Sequence, residues 1–208
     1  MTPETVIPFF TRADGQYLFA RWGRPVVPVV FGVEDATLTT VKGALEAVCT
    51  LAGHRMAETD PELGANLMVF FCRDWAELLA VPNLDRLVEG LGPLVARLEA
   101  EGANQYRVFR FDAGGAIRAA FVFLRMDAHL AAVQAEVLAL GQAVQAILLW
   151  SDRAFATRAP LAEAGGHVIL HPEVAALIRA AYDPVLPAVA RDPAHALRLA
   201  ARMGLAQP

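Results

Sequence analysis

The chain is poor in the side chains that most enzymes use as nucleophiles: 208 residues hold one serine, one lysine and two cysteines. Ser151, in Trp150-Ser151-Asp152-Arg153, sits in no Gly-x-Ser-x-Gly elbow, and neither a Walker A loop nor a dinucleotide-binding glycine fingerprint occurs. Two cysteines make no disulfide framework. Cys49, beside Val48 and Leu51, and Cys72, behind Phe70 and Phe71, read as buried free thiols, unreactive because apolar surroundings disfavour the thiolate. Basic charge is also scarce. With Lys42 the only lysine, a net charge of −4 and a pI near 5.7, no global positive field exists to attract a phosphate backbone, so no nucleic-acid partner is expected. The N-terminal Met1-Thr2-Pro3-Glu4-Thr5-Val6-Ile7-Pro8 lacks the basic start and unbroken apolar stretch of a secretory signal, which predicts a cytoplasmic protein.

What is abundant is apolar surface. Hydrophobic residues make up 56%, mean hydropathy is +0.39, and charged residues are only 19%, which excludes disorder because such a chain can offset the entropy of ordering. At this length a core needs no disulfide or metal to hold it. With no internal repeat and no linker-like stretch, residues 1–208 are expected to form a single globular domain, with 1–23 an irregular N-terminal segment broken by Pro3 and Pro8. The most apolar stretch, Gln134 to Trp150, is interrupted by Gln134, Glu136, Gln142 and Gln145, each costly in hydrocarbon. It predicts a buried central helix, beginning near Ala128, and no membrane span.

Periodicity supplies the remaining elements. Arg24 to Val33 is rich in β-branched residues, and its prolines suit an edge strand. Val41, Ala44, Leu45, Val48, Cys49 and Ala52 recur at helical spacing before Gly53. Ala65 to Cys72 reads as a buried strand, Asp74 to Ala80 as a short helix, and Asn83 to Glu101 as a helical region weakened near Gly90. Tyr106 to Arg125 forms two strand-like arms around Asp112-Ala113-Gly114-Gly115, the chemistry of a hairpin turn. A small-residue loop from Ala159 to Gly166, a short run His167 to His171 and helices opening at Pro172 and near Asp192 complete the chain. The expected class is α+β: a mixed or antiparallel sheet with a central hairpin, packed by the long apolar helix and further helices.

Arg21-Trp22-Gly23-Arg24-Pro25-Val26, then a helix, Ala65-Asn66-Leu67-Met68-Val69-Phe70-Phe71, the hairpin, and an apolar helix carrying Leu140-Gly141 together resemble an uncharacterised family of bacterial zincin-like domains, relatives of metallopeptidases. The likeness runs from about Tyr17 to Tyr182-Asp183-Pro184. In zincins that helix carries His-Glu-x-x-His, two zinc ligands one turn apart and a glutamate that activates the metal-bound water. Aligned on Ala139-Leu140-Gly141, this chain has Gln134 and Leu138 at the histidine positions and Ala135 at the glutamate position. The resemblance therefore implies the family's fold and argues against its chemistry.

The remaining candidates are isolated. Glu136 is the acid-base group of the apolar helix, and a hydrolase built on it requires His129 or His171 to converge on it. His167 and His171 have a zinc-ligand spacing only on a helix; on a strand they stand roughly 13 Å apart. His129, His167 and His171 are thus weak metal candidates, and no cofactor is expected. His54 is a single histidine, and His195 lies on a helix expected to be exposed. Arg107, Arg110, Arg118 and Arg125 lie on the hairpin, where a groove for an acidic ligand would use them. The expectation is a non-catalytic zincin-like binding or assembly module engaging a protein partner or a second copy of itself, with the Glu136 hydrolase as the alternative.

Overall fold

Four strands form a mixed sheet in the spatial order β2-β3-β5-β4 in the computed structural model, which describes residues 1–156 and 159–205. In chain order the strands are β1 (Phe19–Ala20), β2 (Pro28–Phe31), β3 (Leu67–Cys72), β4 (Gln105–Phe111), β5 (Ile117–Arg125), β6 (Leu161–Ala164), β7 (His167–Leu170) and β8 (Val189–Ala190). The helices are α1 (Pro3–Val6), α2 (Asp35–Ala52), α3 (Leu84–Leu87), α4 (Leu91–Ala100), α5 (Ala128–Ala131), α6 (Ala135–Ile147), α7 (Pro172–Ala181) and α8 (His195–Leu205), with 3-10 turns at Ile7–Phe9 and Trp75–Ala80.

β2, β3 and β5 run parallel, Phe31 facing Phe70 and Phe70 facing Phe123, while β4 returns antiparallel along β5. Parallel neighbours need a crossover, and α2 supplies it between β2 and β3. The helix ends at Gly53, whose φ of 64° is a left-handed conformation that glycine adopts without a Cβ penalty. Side chains alternate across the strands and divide the core. Val69, Ala120, Val122 and Leu124 meet α2, α6, α7 and α8 on one face; Phe70, Cys72, Phe121 and Phe123 meet α3, α4 and Trp75 on the other. The high apolar content fills two layers of packing around one sheet. Cys49 and Cys72 are buried and free, and burial pushes their thiols up to about 12 and about 11.

Several expectations need correction. The hairpin is not central: β5 is internal but β4 is an edge strand, as is β2. The apolar helix is two helices. Asp127 accepts the Leu130 N–H at 2.9 Å and starts α5, and α6 begins afresh after Gln134. α6 stops at Ile147 because Leu148 turns extended to bridge with Arg21, and the Leu149 N–H donates to the Ala20 carbonyl at 2.9 Å. Residues 1–23 hold α1, a 3-10 turn and β1, and Val6, Phe10, Phe19 and Trp22 are among the most buried side chains. The small-residue loop contains β6, which pairs with β7.

The connection from α2 to β3 is organised by one carboxylate. Asp60, buried, accepts the N–H groups of Glu62 and Leu63, both at 2.9 Å, the Asn66 amide at 3.0 Å and the Arg24 guanidinium at 3.2 Å. Those donors hold its carboxyl down at about 2 against the opposing effect of burial. Asn66 in turn accepts the Val27 N–H at 2.8 Å and donates to the Pro25 carbonyl at 2.8 Å, so the starts of β2 and β3 are tied side by side.

Candidate functional site

The parallel strands β2, β3 and β5 all finish at the same edge of the sheet, where Gly32, Phe71 and Met126 face the first turns of α2 and α6. Crevices outside the carboxyl ends of parallel strands are where open α/β sheets bind ligands. Here the crevice is a cavity of about 280 Å³. Its lining is mostly apolar: Val41 from α2, Phe71, Met126 and Val133 from the strand ends and the α5–α6 connection, and Ala135 and Leu138 from α6. Glu34 and Thr37, at the start of α2, are its polar members. Gly32 has a φ of 80°, and a Cβ there would lie 2.1 Å from the Phe71 carbonyl oxygen, so only glycine lets β2 turn this closely beside β3.

Two of the three positions that correspond to the zincin motif, Ala135 and Leu138, open into this cavity. The third, Gln134, precedes α6 and lines a separate cleft of about 330 Å³ together with Glu136, Glu163 and His167. Of the proposed hydrolase residues, Glu136 is exposed on the first turn of α6 and His129 is exposed on α5. His171 caps α7, its Nδ1 accepting the Glu173 N–H at 3.3 Å. No hydrogen bond links Glu136 to His129 or His167 among the described residues. His167 opens β7 and His171 follows its end, the extended arrangement in which the two cannot chelate one ion. Among the described residues no group of three or more His, Cys, Asp or Glu side chains is placed to hold a metal ion.

The hairpin arginines do not form one groove. Arg107 and Arg110 leave opposite faces of β4, and Arg110 donates to the Leu87 carbonyl at 3.3 Å. Arg118 pairs with Glu62, and Arg125 lies 3.8 Å from the Asp127 carboxylate. Arg107 is different from the rest. Its Nη2 donates to the Gln142 amide oxygen at 2.5 Å and to that of Gln105 at 3.3 Å, its Nε is buried without a partner, and no carboxylate pairs with it among the described residues. Burial pulls its guanidinium down to about 10. A partly buried cation served only by neutral amides contributes little net stability, because desolvation offsets what the amides return. Arg107→Met keeps the stem and removes the charge; it is expected to leave chemical-denaturation stability unchanged or raise it by about 1 kcal/mol. A loss above about 2 kcal/mol would mean that the fold requires the guanidinium.

No family model matches the chain, and no curated protein and no solved structure matches it. Among the described residues no helix is long and apolar enough to cross a membrane.

The cavity itself had no local sequence signal. Its lining comes from four separated stretches, of which only the helix positions Ala135 and Leu138 fall at motif positions of the zincin-like alignment. Asp60 carries no local sequence signal beyond the Asp60-Pro61 dipeptide.

Proposed function

We propose that the chain is a zincin-like domain without catalytic chemistry, a binding module that receives an apolar side chain of a protein partner in the cavity at the start of α6. The observation that supports this reading is the position and lining of the cavity: where the alignment sets the acid-base glutamate and a metal-binding histidine, Ala135 and Leu138 face an apolar hollow. Neither can ligate a metal or move a proton, but both extend an apolar surface. At about 280 Å³ the cavity holds one large side chain. It falls just below the range of roughly 300–1,000 Å³ typical of small-molecule pockets. Its rim continues into β2, whose outer edge has no neighbouring strand among the described residues, and there Phe31 is 43% exposed.

Side-chain mimics test this directly. Titrating methyl-labelled protein with indole or toluene should shift the Val41, Val133 and Leu138 methyls saturably, and Leu138→Glu, which puts a carboxylate into the hollow, should abolish the response. Methyl spectra that stay unchanged up to about 10 mM, an affinity weaker than roughly −3 kcal/mol, would sink the proposal. Light scattering on the same two proteins identifies the partner: a dimer lost in Leu138→Glu makes it a second copy of this chain.

A further inference from the structure

His195, expected on an exposed helix, is 3% exposed at the first position of α8. Its ring lies 4.5 Å, centre to centre, from that of Phe19 and 6.5 Å from that of Tyr17. Among the described residues neither ring nitrogen has a hydrogen-bond partner, and the hydroxyl of the neighbouring Tyr17 is buried without one as well. Such orphaned polar atoms are uncommon and costly, and three of them belong to this pair of neighbouring side chains, where the C-terminal segment closes on the N-terminal one. β8 pairs with β1, the Arg21 N–H donates to the Ala188 carbonyl at 2.9 Å, and α8 packs on α1 and α7.

We propose that His195 makes α8 an acid-released clasp: the neutral ring seats the helix on Phe19 and Tyr17, and a proton on that ring expels it and frees the helix from the N-terminal segment.

Everything around the ring disfavours the imidazolium. The seat is aromatic and offers no acceptor. Arg198 stands one turn away on the same helix, and the amino end of α8 carries positive partial charge. The other charged or titratable groups on the elements packed here are Glu4 on α1, Glu173 and Arg179 on α7, Arg202 on α8, which pairs with Asp183 at 3.3 Å, Tyr17 itself, and Asp192, whose carboxylate accepts the Ala194 N–H at 2.8 Å. None bonds to the imidazole. Burial first, then Arg198, hold His195 down at about 4, against 6.5 for a free ring. The sign follows from that order. Above pH 6.5 neither state is protonated and the clasp has its full strength; between 6.5 and 4 the released ring takes up protons that the seated ring refuses, so the clasp weakens as pH falls; below 4 the loss is complete. From those two values, the released state gains about 30-fold at pH 5 relative to pH 7.5. α8 contributes no strand to the four-stranded sheet and packs chiefly on α7 and α1, so it can leave while the strand pairing of that sheet stays intact.

Amide hydrogen exchange on the whole chain at pH 7.5 and pH 5, corrected for intrinsic exchange rates, reads the clasp. Protection of α8 amides should fall at least tenfold relative to β3 amides on acidification, and His195→Phe, which fills the seat and cannot protonate, should remove that pH dependence. Equal protection at both pH values, or an undiminished fall in His195→Phe, overturns the proposal. Should that variant not fold, the imidazole proton resonances of the native chain decide: a ring titrating near 6.5 rules the clasp out, and one titrating near 4 upholds it.

Discussion

Asp60→Ala is expected to lower the free energy of unfolding by about 3 kcal/mol in urea denaturation at neutral pH, although it lies on a loop and far in sequence from most of the core. The size follows from what the carboxylate holds. Removing it strips the Glu62 and Leu63 N–H groups of their acceptor and takes away one of the two carboxylates on Arg24. Hydrogen bonds to a charged acceptor are worth more than neutral ones, and the fully buried Asn66 amide also loses its carboxylate acceptor, a desolvation cost that water cannot offset. Glu62→Ala is the control. Glu62 pairs with Arg24 and Arg118, but its side chain is 55% exposed, and screened surface pairs contribute under about 1 kcal/mol. The linkage sign gives a second readout. Because Asp60 is held at about 2, below its ordinary 3.8, its contribution is present above pH 3.8 and is lost as pH falls through 2. The native chain should therefore shed more stability in that window than Asp60→Ala, in which Asp127 and Glu4, also held below their ordinary values, still contribute. This acid loss lies below the window set by His195, so the two titrations separate.

The elements that were legible beforehand were those whose pattern is local. The helix spacing of Val41, Leu45, Val48 and Ala52, the alternation on either side of Asp112-Ala113-Gly114-Gly115, and prolines at the starts of β2 and α7 all act within a few residues, and the folded chain keeps them. The turn shows the mechanism: the Asp112 carboxylate accepts the Gly114 and Ala116 N–H groups at 2.9 and 3.0 Å, a bond pattern that any chain with those residues would favour. What misled was long-range pairing. Leu148 and Leu149 continue the apolar helix by composition, but the backbone of Ala20 and Arg21 claims them. His195 has the polar surroundings of a surface helix in sequence, with Asp192, Arg191 and Arg198 nearby, and is buried because β8 pairs with β1 and draws it onto Phe19. The candidate site divides in the same way. Its helix positions were found through the alignment on Leu140-Gly141, whereas Gly32, Phe71 and Met126 meet only because three parallel strands stop in register.

Trp22→Ala is expected to cost about 4 kcal/mol and, unlike Asp60→Ala, to loosen the cavity at the far end of α6. A helix leaves its last carbonyls unpaired, and α6 ends in the core, where water cannot serve them. Three aromatic side chains do so instead. Trp150 Nε1 donates to the Val144 carbonyl at 2.7 Å, Trp22 Nε1 to that of Ala146 at 2.9 Å, and the Tyr182 hydroxyl to that of Ile147 at 2.8 Å. Tyr182 is joined to Trp22 in turn, its oxygen accepting the Trp22 N–H at 3.3 Å. Trp22→Ala removes both a fully buried ring and one of these donors. Trp22→Phe separates the two losses: it keeps most of the apolar volume and leaves the Ala146 carbonyl unpaired, which should cost about 2 kcal/mol. Tyr182→Phe should cost a similar amount, and because Trp22 and Tyr182 serve neighbouring carbonyls of one helix end, the double variant should depart from additivity by about 0.5 kcal/mol or more. The register of α6 decides where Ala135 and Leu138 stand, so the methyl shifts induced by indole should broaden or vanish in Trp22→Ala and persist in Trp22→Phe. If the cavity responds alike in both, α6 is positioned by its packing on α2 and the sheet alone, and the aromatic donors at its end serve stability without shaping the site.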